Sequence, residues 1–317
     1  MPVSVGGMEA ALHALVGAQA GVFSTAEASA RGVEPSSLRR AVARRELVRL
    51  RRGAYVDGPT WHDGDDEQRF RLACRALARS RPGDVLSHQA ALAVRGLPVW
   101  PRRGCRIDLL TDVGQAVQRR GVHLHPRDEQ RPDVVDGVLV APVAWSVVRT
   151  ALTCGRDAAV VGADAALHRG LVTTDGLWAE VARVSAHEGR GRSARAMGLV
   201  EPKTESVGET LTRLILVDAG LVPRAQVALQ DRHGTVVARV DLLVEGVVVE
   251  FDGRVKYRGD PADRDVDPAA VVWAEKRRED AIRRLGFPVE RVIWSELDRP
   301  ALIAERVKAA RRLVRAG

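Results

Sequence analysis

Apolar residues along the first sixty positions change period twice. Met8, Leu12, Leu15 and Val16 recur at helical spacing. Ser24 and Thr25 are N-cap candidates for a short helix, TAEASARG, which Gly32 closes. Pro35 stands where first-turn prolines stand, beside Ser36 and Ser37, and LRRAVARRE continues as a helix. The stretch LVRLRRGAYVD then alternates apolar and basic residues about Arg52-Gly53, a hairpin pattern.

The pattern changes again after DGPTWHDGDD. Residues 66–79 and the stretch SHQAALAV are helical in period, RIDLLT, GVHLH and GVLVAP read as short strands, and 144–170 and 173–186 read as helices. A Gly- and Arg-rich stretch, EGRGRSARAMG, separates this region from the last. There, ESVGETLTRLILVDAG carries one apolar helical face that Gly220 ends, with Ser206 and Glu209 spaced as a capping box. Three strands follow, QVALQD, VARVDLLVE and VVVEFDG, the last two joined by a tight turn at Glu245-Gly246. A long helix over 269–285 and a closing strand, PVERVIW, complete the region. The fold expected is α/β (α+β). It comprises an N-terminal winged helix-turn-helix at 1–57, a mixed α/β middle domain at 65–200, and a C-terminal domain at 202–317 with a central mixed sheet.

Composition adds one feature, whose weight depends on its placement. The 317 residues carry a net charge of +8, which favours polyanionic partners through counterion release. Arg, Ala, Val and Gly dominate the chain, as in GC-rich genomes, so placement matters more than the total. Between Arg39 and Arg52 stand seven arginines (Arg39, Arg40, Arg44, Arg45, Arg49, Arg51, Arg52) against one acid, Glu46. A recognition helix and its wing need cations where phosphates pass on either side of a groove. Duplex DNA is therefore the expected partner, against the plainer reading of a solvated basic face.

No apolar run reaches the roughly 18 residues needed to span a bilayer. The N-terminal stretch also lacks the basic and apolar regions of a signal peptide. A cytoplasmic protein without membrane contact is expected. Cys74, Cys105 and Cys154 form no C-x-x-C pair and read as small buried hydrophobes. His123 and His125 alternate on a strand, but with His88 they show no third ligand at useful spacing, so a packing role is expected. The six tryptophans are scattered and read as core or interface residues.

The chemistry concentrates in the last region. Asp241 lies among apolar residues in one strand, and Glu250 ends the apolar run VVVE in the next. A carboxylate in each of two adjacent buried strands is costly unless something pairs it. Two carboxylates at a hairpin can hold one Mg²⁺ or Mn²⁺, whose other positions are filled by water and phosphate.

Two family resemblances follow. Residues 1–100, through VFSTAEA, SSLRRAVARREL, LRRGAYV and LSHQAALAVRGLPVW, resemble AbiEi-like antitoxins of type IV toxin–antitoxin systems. That implies a DNA-binding repressor, with a toxin or a second copy of the chain as partner. Residues 202–312 resemble very-short-patch-repair-like endonucleases, a branch of the PD-(D/E)XK superfamily with a restriction-endonuclease-like core. The matching positions are Ser206 and Glu209, Gln226, Asp241, Glu250, Asp252-Gly253 and the helix around 275–280.

The second resemblance implies Asp241 and Glu250 as metal ligands and Glu209 as an assisting carboxylate. It also marks a departure. The superfamily's lysine position falls on Asp252, and the cation nearest in sequence is Lys256, followed by Tyr257. Lys256 is the substitute catalytic cation on one reading and an ordinary surface lysine on the other. The expected function is a DNA-targeted, metal-dependent endonuclease. The alternatives are a non-catalytic repressor with a degenerate nuclease fold and an RNA-directed nuclease with the same chemistry.

Overall fold

The computed structural model describes residues 5–101, 104–253 and 268–316. By internal contacts it divides into two units, Met1–Ala166 with Gly170–Gly198, and Leu167–Arg169 with Leu199–Gly317.

The first unit opens with α1 (Val5–Ala18), β1 (Val22–Ser24), α2 (Thr25–Ala30), α3 (Pro35–Ala43), β2 (Leu47–Arg51) and β3 (Ala54–Asp57). The hairpin expected about Arg52-Gly53 is β2–β3, with Gly53 at φ +81. The strand β1 lies within the VFSTAEA stretch, is wholly buried, and adds to β3, giving the order β1-β3-β2. Three residues are too short for an alternation pattern to register. Ser24 is the N-cap of α2, in a full capping box with Glu27. Leu15, Phe23, Leu38 and Tyr55 pack as this module's core.

The remainder of the unit is α4 (Gly58–Asp63), α5 (Asp66–Ser80), β4 (Val85–Leu86), α6 (His88–Val94), β5 (Ile107–Thr111), β6 (Val117–Arg119), β7 (Val122–Pro126), β8 (Asp133–Val135), β9 (Val138–Val140), α7 (Val143–Thr153), α8 (Arg156–His168), α9 (Thr174–Arg183) and α10 (Arg190–Met197). The helix expected over 144–170 is thus two helices. Gly155, at φ +95 between them, takes a backbone conformation that an α-helix cannot contain. The Gly- and Arg-rich stretch before the last region holds α10, whose Ala196 and Met197 are buried. The sheet order is β6-β7-β5-β4-β9-β8. Helices α5 and α6 cover one face, where Leu77, Ala90, Leu109 and Val140 meet. Trp145 of α7 packs with Val85 and Leu110 on the other. Helix α5 also packs Leu72 and Ala76 against Val22, Ala54 and Val56 of the three-stranded sheet.

The second unit contains α11 (Val207–Asp218), β10 (Pro223–Gln230), β11 (Val236–Val244), β12 (Val247–Asp252), α12 (Pro268–Arg284), β13 (Val289–Ile293) and α13 (Pro300–Ala316). Strands β10, β11 and β12 form an antiparallel meander, and β13 joins β12 in parallel after the α12 crossover. Glu245 and Gly246 both take positive φ, +47 and +91, the twist that a two-residue hairpin turn requires. Leu216 of α11 and Ile303 and Val307 of α13 pack with Leu242, Val247 and Val249. Ile282 of α12 packs with Val240, Leu243 and Val248. The mixed sheet therefore lies between helices.

Candidate functional site

Helix α3 places Arg39 and Arg40 on its exposed side while Leu38 and Ala41 turn into the core. Arg44, Arg45, Arg49 and Arg52 are also exposed. Arg40 donates to Ser37 Oγ at 2.9 Å, and Arg44 lies 3.7 Å from Glu46. Arg51 is half-buried, and its Nη2 donates to the Arg120 carbonyl at 2.7 Å, so part of its donor capacity is spent inside the unit. Helix and hairpin thus present a continuous basic segment on a module with its own core.

In the second unit the β11–β12 hairpin brings Asp241 and Glu250 to the wall of one cavity of about 320 Å³, which Asp252, Glu275, Arg278 and Arg291 also line. Asp241 Oδ2 accepts the Phe251 N–H at 2.9 Å. Burial lifts the Asp241 carboxyl above its ordinary range and the Glu209 charge adds to the rise, against the Phe251 N–H and the Arg278 and Arg239 charges. Glu250 ion-pairs with Arg278: Nη1 donates to Oε2 at 3.2 Å, while Nη2, 2.7 Å from Oε1, donates to the Arg239 carbonyl at 2.7 Å, so the buried Oε1 has no hydrogen-bond donor among the described residues. Arg291 lies 3.9 Å from Asp252 and is held by Glu275 and by Glu279, the latter at 2.9 Å.

Glu209 does not line the cavity, yet it does more than cap α11. Ser206 Oγ accepts its backbone N–H at 3.1 Å, which is half of the expected capping box. Its carboxylate instead accepts from the Glu205 N–H at 3.1 Å and from Gln226 Nε2 at 2.9 Å. Burial raises the Glu209 carboxyl, and the Ser206 and Gln226 hydrogen bonds offset part of that rise. Gln226 Oε1 in turn accepts from Arg239 Nε at 2.6 Å, and Arg239 pairs with Glu205. Gln226 sits at φ +52 inside β10, between the Ala225–Leu242 and Val227–Val240 pairs, across from Asp241. A non-glycine residue in that region stores strain and persists only where its surroundings over-determine it. Lys256 lies outside the described residues.

Residues 11–56 match the family model described as a transcriptional regulator, AbiEi antitoxin. The match runs from within α1 into β3 and so covers the module that bears the basic helix and hairpin. It supports a DNA-binding regulatory role. Among curated proteins, the chain is similar to two uncharacterized proteins of Mycobacterium tuberculosis, MT2308 of strain CDC 1551 and Rv2248 of strain H37Rv. Each is 26% identical over 200 residues, covering 62% of this chain and 69% of the relative.

Several site features escaped the sequence. Arg278 and Arg291 bring cations to the carboxylates from α12 and β13, far along the chain, where the run EKRRED hides which arginine faces inward. The histidines do have a further donor. Asp108, on β5, gathers with His88 and His125, one ligand atom of each lying within 4.8 Å of the others. An aspartate in an apolar strand was the available signal. The cysteines differ from the uniformly buried set expected, since Cys74 is buried, Cys105 partly exposed and Cys154 exposed. The tryptophans divide similarly, with Trp145 buried and Trp178 and Trp273 exposed. No helix among the described residues is long and apolar enough to cross a membrane.

Proposed function

We propose that this chain is a DNA-binding regulator whose C-terminal unit hydrolyses phosphodiester bonds with Mg²⁺ or Mn²⁺. The observation that carries the reading is the convergence of Asp241 and Glu250 on one open cavity, with Asp252 beside them. The donor set is all oxygen and suits a hard dication that keeps several water or phosphate ligands. Helix, three-strand meander, helix and parallel strand is also the element order of the nuclease core that the sequence resembles.

Asp241 and Glu250 would hold the ion, which polarises a scissile phosphate and supplies hydroxide near neutral pH. The Glu209–Gln226 pair braces the strand opposite Asp241 and raises the electrostatic cost of leaving Asp241 uncompensated. Arg278 supplies in space the cation that Asp252 withholds in sequence. Ligation of Glu250 by a dication would release the Arg278 guanidinium to a phosphate oxygen, where it stabilises developing negative charge. The exposed arginines of α3 and the β2–β3 hairpin would hold duplex DNA. The regulator-family match suggests a toxin, or a second copy of the chain, as protein partner.

One observation favours a second reading. Arg278 already ion-pairs with Glu250, donating to Oε2 at 3.2 Å, as a scaffold that needs no metal would have it. The two readings separate on cleavage of end-labelled duplex, nicked, mismatched and single-stranded DNA, and of RNA, with Mg²⁺ or Mn²⁺. Cleavage that disappears in Asp241→Asn establishes the enzyme. Absence of cleavage on every substrate, with no Mn²⁺ binding by calorimetry that depends on Asp241, leaves the regulator alone.

A further inference from the structure

Three imidazoles crowd one buried carboxylate in the first unit. Asp108 is 3% exposed on β5, in register with His123 of the parallel strand β7, and Leu110 is likewise in register with His125. The alternation that sends Ile107, Leu109 and Val122 into the core beneath α5 and α6 places Asp108, His123 and His125 together on the other face. His125 Nε2 lies 2.8 Å from Asp108 Oδ1, and His123 Nδ1 lies 3.5 Å from the same oxygen. His88, the first residue of α6 and only 4% exposed, stacks on His125 with ring centroids 4.4 Å apart.

A buried carboxylate needs one counter-charge, and a single imidazolium supplies it. The arrangement goes further than that need. It adds a buried second ring on His88, whose backbone is held at φ +48, a strained conformation for a non-glycine residue. Ser87 Oγ, 3.0 Å from His88 Nδ1, fixes that ring's orientation, as outer partners of metal-bound histidines do. Trp145 closes the edge of the same ring at 5.2 Å. A cavity of about 210 Å³, lined by Asp108, His123, Cys105 and Cys154, opens on the carboxylate.

We propose that His88, Asp108 and His125 bind a divalent transition metal of the zinc class, with its remaining position facing this cavity. Two imidazoles and one carboxylate form the nitrogen-rich donor set of an open zinc site rather than of a Mg²⁺ site. The site is separate in sequence and in donor chemistry from the carboxylates of the second unit.

The test uses the full chain, freed of metal by chelation and titrated with Co²⁺. One equivalent should give the intense visible absorption of a low-coordinate site, Zn²⁺ should bleach it, and the thermal midpoint should rise with metal. His88→Asn, which tolerates the left-handed backbone, and His125→Gln should each weaken Co²⁺ binding at least tenfold, whereas Asp241→Asn should leave the band unchanged. X-ray absorption of the zinc-loaded wild type should count two imidazoles and no sulfur. This second measurement needs no variant, so misfolding of a substituted chain cannot obscure the result. A wild type without a saturable Co²⁺ band, a band that survives both histidine substitutions, or a sulfur shell from Cys105 and Cys154 would each overturn the assignment.

Discussion

The N-terminal module and the C-terminal unit both rely on arginine, and they use it in opposite ways. On α3 and the β2–β3 hairpin, Arg39, Arg45, Arg49 and Arg52 stand exposed around a small apolar core. Around the C-terminal cavity, Arg278 and Arg291 are only partly exposed and each is committed to carboxylates. Charge that faces water costs little to keep and is available to a long polyanion. Charge turned into a cavity must be paired to offset its desolvation, and here the pairing gathers cations and carboxylates at one place. The first arrangement suits binding along a surface and the second suits an event at a point.

The sharpest way to break this comparison is Asp241→Asn. Asparagine keeps an oxygen for the Phe251 N–H and removes the charge that burial and Glu209 oppose. Cleavage and Mn²⁺ binding at the second-unit cavity should disappear, while duplex DNA affinity stays at the wild-type level and the thermal midpoint holds or rises. A large fall in the midpoint would mark Asp241 as a structural acid.

Next in size is the combined replacement of Arg39, Arg40 and Arg44 by Ala. Each lost phosphate contact should remove about 0.9 from the slope of log affinity against log salt. Three contacts amount to an affinity loss on the order of a hundredfold at moderate salt, with metal binding in the second unit untouched. An unchanged slope would take the helix out of the interface.

Gly208→Ala tests the packing behind the carboxylates. An added Cβ would lie 2.0 Å from the Phe251 ring, so α11 or the ring must move. Overpacking of this kind costs about 1–3 kcal/mol. Because the Phe251 N–H is a donor to Asp241, metal affinity in the second unit should fall together with stability. A neutral substitution would mean that this contact does not set the position of Asp241.

The two regions also differed in how far the sequence disclosed them. The helix and hairpin of the N-terminal module were legible because period, caps and turn residues are local. Its strand β1 was not, because its pairing with β3 reaches thirty or more positions along the chain. In the second unit, Asp241 and Glu250 stood out as acids in apolar strands. Their partners Arg278 and Arg291 did not, since only the α12 crossover and the parallel β12–β13 pairing bring them near. Asp108 is hidden for a similar reason, as its meeting with His88 and His125 is a product of the six-stranded sheet.

The smallest expected effect lies within the first unit, at Glu27. Its carboxylate closes the capping box of α2 with Ser24, accepts from Gln19 at 3.1 Å, and meets Arg79 of α5 at 2.7 Å. Burial pushes the Glu27 carboxyl up, but the Ser24 hydrogen bonds and Arg79 outweigh it and hold the group below its ordinary value. A carboxyl lowered by folding adds stability above its unfolded value of about 4.3 and loses that contribution as pH falls toward the folded value. Glu27→Gln keeps the shape and one acceptor while removing the charge, so near neutral pH it should cost about 1 kcal/mol. Thermal denaturation of wild type and variant across the acid range should show the two midpoints converging as Glu27 protonates in the wild type. A gap of constant size from neutral to acid pH would assign the effect to packing rather than to the charge that ties the N-terminal module to α5.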